Sequence, residues 1–199
     1  MTALNLEGVV LSGHSMGGAT CLATAAAASE RVSRLVLLDP VISPRLKMIM
    51  GERTDAHASL INGAKKRRAE FASRDAAFAA YRGRGAFATW PDEILADYVE
   101  AGFGDLPDGR VRLTCEPEWE ASTFLAQAND PWEDFARAPC PIEILKAERA
   151  STCRTDGAEA DLTASGLVSI QTIAGTSHFL PMERPALVRD TLANALEAR

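Results

Sequence analysis

Basic side chains are in the minority in this sequence, with 21 lysines and arginines against 27 aspartates and glutamates and a formal net charge of −6. A nucleic-acid binder carries the opposite excess, so nucleic acid is set aside as a partner. No run of 18 apolar residues occurs, so no membrane-spanning segment and no membrane partner are predicted. The segment Met1-Thr2-Ala3-Leu4-Asn5 lacks the basic-then-apolar order of a signal peptide. Cysteine is scarce, and Cys21, Cys115, Cys140 and Cys153 form no Cys-x-x-Cys pair. That spacing suits neither a metal site nor a disulfide framework. The four read as free thiols in a reducing cytoplasm, which is the predicted location. Histidine is scarcer still, with only His14, His57 and His178, so the choice of an imidazole base is short.

Apolar material is present in quantity. Hydrophobic residues make up 47% of 199 positions, enough for one core, or for one domain with a large insertion. The run Gly8-Val9-Val10-Leu11-Ser12 reads as a buried parallel strand, and the alanine-rich stretch 19–28 as a helix. Arg34-Leu35-Val36-Leu37-Leu38, stopped by Asp39-Pro40, is a second strand, so the three pieces form a βαβ unit. The rhythm returns near the C-terminus. Residues 141–147 and 168–173 read as strands, and 185–198 as an amphipathic helix with Leu187, Val188, Thr191, Leu192 and Leu196 on one side. Between them, 41–140 reads as a mainly helical insertion. It has helical patterns over 76–81 and 91–99, a turn at Pro107-Asp108-Gly109, a short extended piece at Val111-Arg112-Leu113 and a basic run at 65–68 taken as a solvated helix face. The predicted organisation is an α/β core of 1–40 and 141–199 with a cap of 41–140.

Chemistry concentrates at Gly13-His14-Ser15-Met16-Gly17-Gly18, a Gly-x-Ser-x-Gly pattern between a predicted strand and a predicted helix. A serine on so sharp a turn exposes its hydroxyl from a strained backbone, and small residues two before and two after it let strand and helix approach. The following helix aims its N-terminus at the site, so the Met16 N–H is a candidate oxyanion donor. A serine hydroxyl needs a base. His178, in Gly175-Thr176-Ser177-His178 ahead of the last helix, is the candidate. His14 lines the pocket or points away, and His57 reads as a surface residue. A carboxylate must then orient the imidazole. Phe87, Trp90 and Phe124 are candidate pocket walls.

These two motifs resemble the nucleophile elbow and histidine loop of the α/β-hydrolase superfamily. The resemblance covers nearly the whole chain, and the middle stretch resembles the cap of esterase-like and epoxide-hydrolase-like bacterial members. It implies a mostly parallel sheet, represented by its C-terminal half, and hydrolysis without metal or cofactor. In many relatives the acid follows the strand after the cap, where this chain has Ala150-Ser151. The other slot ends the strand before the cap, and Asp39 fills it, as in haloalkane and fluoroacetate dehalogenases. Asp39 is therefore the assigned acid, with Glu148, Asp156 and Asp161 as alternatives. The predicted activity is cleavage of a small carboxylic ester through an acyl-enzyme on Ser15. Lactone or C–C bond hydrolysis on the same residues, or an incompetent binding module, are the rivals. Only 14 residues precede Ser15, so the resemblance also implies that a second oxyanion donor, and strands flanking the first one, lie outside these residues. A weak hydrolase follows, whose exposed edge strand is covered by a second copy or another partner.

Overall fold

The computed structural model describes residues 1–44, 55–126 and 130–197. The chain divides into two compact units, Met1–Gly51 with Asn129–Arg199, and Glu52–Ala128.

The first unit is built on a parallel sheet. Strand β1 (Val9–His14) leads through Ser15 into helix α1 (Met16–Ala27), which returns to β2 (Val32–Leu38). Strands β6 (Ile142–Arg149) and β7 (Val168–Ser177) complete the order β1-β2-β6-β7, every neighbouring pair parallel. The β2 run is apolar because both of its faces are covered. Leu35 and Leu37 pack with Leu22 and Ala25 of α1 and with Ile142 and Ile144. Val36 and Leu38 face the other way, into Leu145, Ile173 and Leu180. Helix α8 (Pro185–Glu197) lays Leu187, Val188, Leu192 and Ala195 on that second face. Leu196, placed on the buried side from sequence, is 52% exposed. The stripe runs 187, 188, 191, 192 and 195, and Leu196 falls about 40° beyond Leu192, outside its edge.

Helix α6 (Pro131–Arg137) was assigned to the insertion from sequence, but it belongs to the first unit. Its Phe135, with Ala138, packs in the cluster of Leu22 and Ala25. Asp130 caps it, accepting from the N–H groups of Trp132 at 2.9 Å and Glu133 at 3.2 Å.

The second unit holds α2 (Asp55–Lys65), α3 (Arg74–Tyr81), α4 (Asp92–Gly102) and α5 (Pro117–Leu125). It also holds an antiparallel sheet in the order β3 (Glu70–Phe71), β5 (Val111–Leu113), β4 (Phe103–Asp105). The sheet was not anticipated beyond the extended piece at 111–113. Phe71, Ala77, Leu95, Val99, Phe103, Val111 and Leu113 make this unit's own core. Arg67 departs from the expected solvated face. It donates to Glu120 Oε2 and to the Tyr98 hydroxyl, both at 2.8 Å, while Lys65, Lys66 and Arg68 stay exposed. The His57 side chain lies outside the described residues.

Among the described residues no helix is long and apolar enough to cross a membrane. The four cysteines are unpaired.

The β1–α1 turn tests the expected role of its glycines. A Cβ on Gly13 would sit 2.4 Å from the Gly17 carbonyl carbon and oxygen, and one on Gly18 2.9 Å from Pro40 Cβ. A Cβ on Gly17 would meet nothing within 4 Å. The close approach is thus made at Gly13 and Gly18, whereas Gly17 was the expected position after the serine. Gly13→Ala should cost about 3 kcal/mol or more, because the clash is with rigid backbone. Gly17→Ala should be neutral or gain up to about 1 kcal/mol from helix propensity. Urea unfolding of the two variants checks this, and equal midpoints would contradict it.

Candidate active site

The assigned hydroxyl, carboxylate and imidazole stand at the carboxyl ends of strands of the parallel sheet. Ser15 follows β1, Asp39 follows β2, Ser151 and Thr152 follow β6, and His178 follows β7. Parallel strands end on one edge, so four distant segments converge there, the usual ligand position in such sheets.

The backbone is strained where these residues sit. Ser15 has φ 56° and ψ −122°, and Asp39 and Ala150 have φ 43° and 51°. Non-glycine residues hold such angles only when their surroundings impose them. For Ser15 the sheet does so. Its N–H donates to the Leu38 carbonyl at 3.0 Å, and its carbonyl accepts from Gly18, Ala19 and Val41. For Asp39, the N–H donates to the Leu145 carbonyl at 2.7 Å.

The side chains form a relay. Ser15 Oγ lies 3.0 Å from His178 Nε2, and His178 Nδ1 lies 2.6 Å from Asp39 Oδ2. A carboxylate accepts only, so Nδ1 carries the proton and Nε2 is left to accept from the serine hydroxyl. Asp39 is 0% exposed. Its Oδ1 accepts from the Ala147 N–H at 2.9 Å and the Ser151 hydroxyl at 2.5 Å, and its Oδ2 from the Thr152 N–H at 3.0 Å. Burial pushes the Asp39 pKa up. Hydrogen bonds from His178, Ser151, Ala147 and Thr152 outweigh that and hold it below the usual carboxylate range. The Thr152 hydroxyl donates to the Asp39 carbonyl at 2.8 Å, pinning its backbone as well.

The loop carrying His178 is tied behind it. Glu183 accepts from the Ser177 N–H at 2.7 Å and the Ser177 hydroxyl at 2.6 Å. Ahead of it, His14 Nε2 reaches the His178 carbonyl at 2.7 Å. Met16 opens α1, where the first N–H groups have no intrahelical partner.

So the structure brings Ser15, His178, Asp39, Met16 and His14 together. Glu148 is occupied elsewhere, accepting from the Gly175 N–H at 3.0 Å. Asp156 and Asp161 lie in the loop and the short helix α7 (Glu159–Thr163) after β6. Phe87 and Trp90 belong to the second unit, where they pack with Tyr81 and Tyr98, and Phe124 is half-buried on α5. From sequence Ala150-Ser151 is only the slot of a missing acid, and Thr152 has no assigned role. Nothing near Ser151 and Thr152 in the sequence ties them to Asp39, whose carboxylate the Ser151 hydroxyl and the Thr152 N–H cradle. Among the described residues, no group of three or more His, Cys, Asp or Glu is placed to hold a metal ion.

The cradle yields a pH-dependent expectation. A carboxylate with a depressed pKa stabilises the fold above its unfolded value of about 3.9, and that stability is lost as pH falls through the folded value. Ser151→Ala removes one charge-assisted bond. It should lower stability by about 1.5–3 kcal/mol at pH 7, with the gap to the parent narrowing as pH falls through the carboxylate range. Urea unfolding at pH 7 and below about pH 3 measures it; a gap that widens in acid would contradict it.

A strand, a strained serine turn and a histidine loop joined in this way are the marks of one family, and its family model, described as the alpha/beta hydrolase family, matches residues 2–191. The chain belongs to the alpha/beta hydrolase family. By class this hydrolase is an enzyme, and its fold recurs in solved structures. It superposes on E-2-(acetamidomethylene)succinate hydrolase with a TM-score of 0.79 at 19% identity, over 98% of this chain and 69% of that one. A marine microorganism esterase gives 0.66 at 20% identity, over 96% and 72%. The peroxisomal alpha-beta-hydrolase Lpx1 of Saccharomyces cerevisiae gives 0.68 at 19% identity, over 94% of this chain and 52% of that one. No curated protein matches the sequence.

Proposed function

We propose that this alpha/beta hydrolase is a serine hydrolase that cleaves a small carboxylic ester. Ser15 is the nucleophile, His178 the base and then the acid, and Asp39 the orienting carboxylate. The observation that carries this reading is the unbroken relay from Ser15 Oγ to His178 Nε2 at 3.0 Å and from Nδ1 to Asp39 at 2.6 Å.

Ser15 Oγ forms a bond to the acyl carbon while its proton passes to His178 Nε2. The carbonyl electron pair moves onto oxygen, where the Met16 N–H at the head of α1 stabilises it. Collapse breaks the C–O bond, and the departing alkoxide takes the proton from His178. A water then gives its proton to His178 and attacks the acyl-enzyme, and Ser15 leaves with that proton as the acid is released. Buried Asp39 stays ionised and stabilises the transient imidazolium. The steps use side chains and one backbone N–H of this chain, together with water.

A fluorophosphonate probe tests the nucleophile, with mass spectrometry locating the adduct. Labelling on Ser15, lost in His178→Ala, is expected. A panel of small esters, lactones, a C–C bond substrate and an acetamide-bearing succinate tests the substrate class. Ester turnover is the expected result. Labelling with turnover only on another class would replace the ester, and no labelling would overturn the serine mechanism.

A further inference from the structure

We propose that His14 is a positioning residue, a latch from the nucleophile strand to the backbone of His178 that holds the imidazole in line with Ser15. The inference rests on the serine-hydrolase reading and adds a residue to it.

The geometry is specific. His14 is the last residue of β1 and the neighbour of Ser15 in the chain. Its Nε2 lies 2.7 Å from the His178 carbonyl oxygen. A carbonyl only accepts, so this nitrogen carries the His14 proton and donates it. The two rings lie 4.6 Å apart between centroids, tilted by 34°, and the Phe179 ring is 6.4 Å from that of His14. The nucleophile and the base are therefore linked twice. One link is the hydrogen bond between their side chains. The other runs from Ser15 through one peptide bond to His14 and across to the His178 carbonyl. With Asp39 on Nδ1, Glu183 holding Ser177 and His14 on the backbone carbonyl, His178 is tied at its ring, at the preceding residue and at its own backbone.

The latch is built to be neutral. Burial depresses the His14 pKa, which its bond to the His178 carbonyl opposes; the nearby His178 lowers it further, and Asp39 raises it. A neutral ring donates one proton and adds no positive charge beside the imidazolium that forms on His178 in each half-reaction.

Three variants separate a latch from a pocket wall or a packing residue. His14→Phe keeps a ring and its contacts but has no donor. His14→Asn carries a donor too short to reach the carbonyl. His14→Gln places an amide N–H near the position of Nε2. The measurements are kcat and KM on the best substrate of the panel, and the rate of fluorophosphonate labelling at Ser15. His14→Phe and His14→Asn should lose about 30- to 100-fold in kcat and in labelling rate, the size expected for a displacement of the base of about 1 Å, with KM within about twofold. His14→Gln should recover most of that loss. A parent protein that does not label at Ser15 defeats the serine reading itself. With a parent that labels, full kcat in His14→Phe overturns the latch. So does a loss carried by KM alone, or a His14→Gln no better than His14→Asn. If His14→Phe fails to fold, the comparison of His14→Asn with His14→Gln decides the question, since both side chains are polar amides.

Discussion

Ser15→Ala should lower kcat by about 10⁶-fold, to the residual rate that binding and backbone donors sustain. The covalent route disappears with the hydroxyl, and His178 is left with no proton to accept on that path. The same position separates stability from activity. Ser15 is held at φ 56°, where a side chain costs about 1–3 kcal/mol. Alanine keeps that cost, while glycine relieves it and the two differ in the unfolded chain as well. Ser15→Gly should therefore be as inactive as Ser15→Ala, yet more stable than it by about 1 kcal/mol. Steady-state kinetics and thermal unfolding of the pair measure both effects. Turnover within tenfold of the parent in either variant would remove Ser15 from the mechanism. Equal stability would show that the turn stores no strain at this residue.

What the sequence disclosed follows from how local each signal is. The β1–α1 turn was legible because Gly13 and Ser15 act within a few residues of one another, although the second close approach falls to Gly18 and not to Gly17. Strand β2 was legible because burial of both faces writes the continuous apolar run Leu35-Val36-Leu37-Leu38, and β6 because Ile142, Ile144, Leu145 and Ala147 are buried around Glu143 and Lys146. Asp39 was legible from its place at a strand end and the resemblance it carried, and the structure sets it against His178 across 139 positions. The cradle was not legible. Ser151 reaches Asp39 from 112 residues away, and no pattern near either residue encodes that distance. The antiparallel sheet of the second unit was missed for a different reason. Strands of two and three residues, such as Glu70–Phe71 and Phe103–Asp105, are too short to show a period of two. Helix α6 was misassigned because its apolar face, led by Phe135, chooses its partner only once α1 is in place. From sequence His14 lines the pocket or points away from Ser15, and no side-chain pattern reveals its partner, because that partner is the backbone carbonyl of His178.

Asp39→Asn should reduce kcat by about 10⁴-fold, and the hydrogen bonds around this residue say why. Every neighbour of the carboxylate is a donor: the Ala147 N–H and Ser151 hydroxyl on Oδ1, the Thr152 N–H and His178 Nδ1 on Oδ2. An asparagine brings two donors of its own into that set. With its NH₂ on the Oδ1 side it confronts the Ala147 N–H, which cannot turn away. On the Oδ2 side it confronts the Thr152 N–H and drives His178 to accept at Nδ1. The imidazole proton then moves to Nε2, where it faces Ser15 and blocks proton transfer. Either orientation also leaves a buried donor unsatisfied, so stability should fall by about 1–3 kcal/mol at pH 7. That difference shrinks in acid, because protonation of the parent's own carboxylate removes the ionised form that the asparagine fails to replace. Asp156→Asn and Asp161→Asn serve as controls and should stay within a few-fold of the parent. Kinetics and urea unfolding of the three variants decide the matter: near-full activity in Asp39→Asn, with loss in either control, would move the acid away from the end of β2.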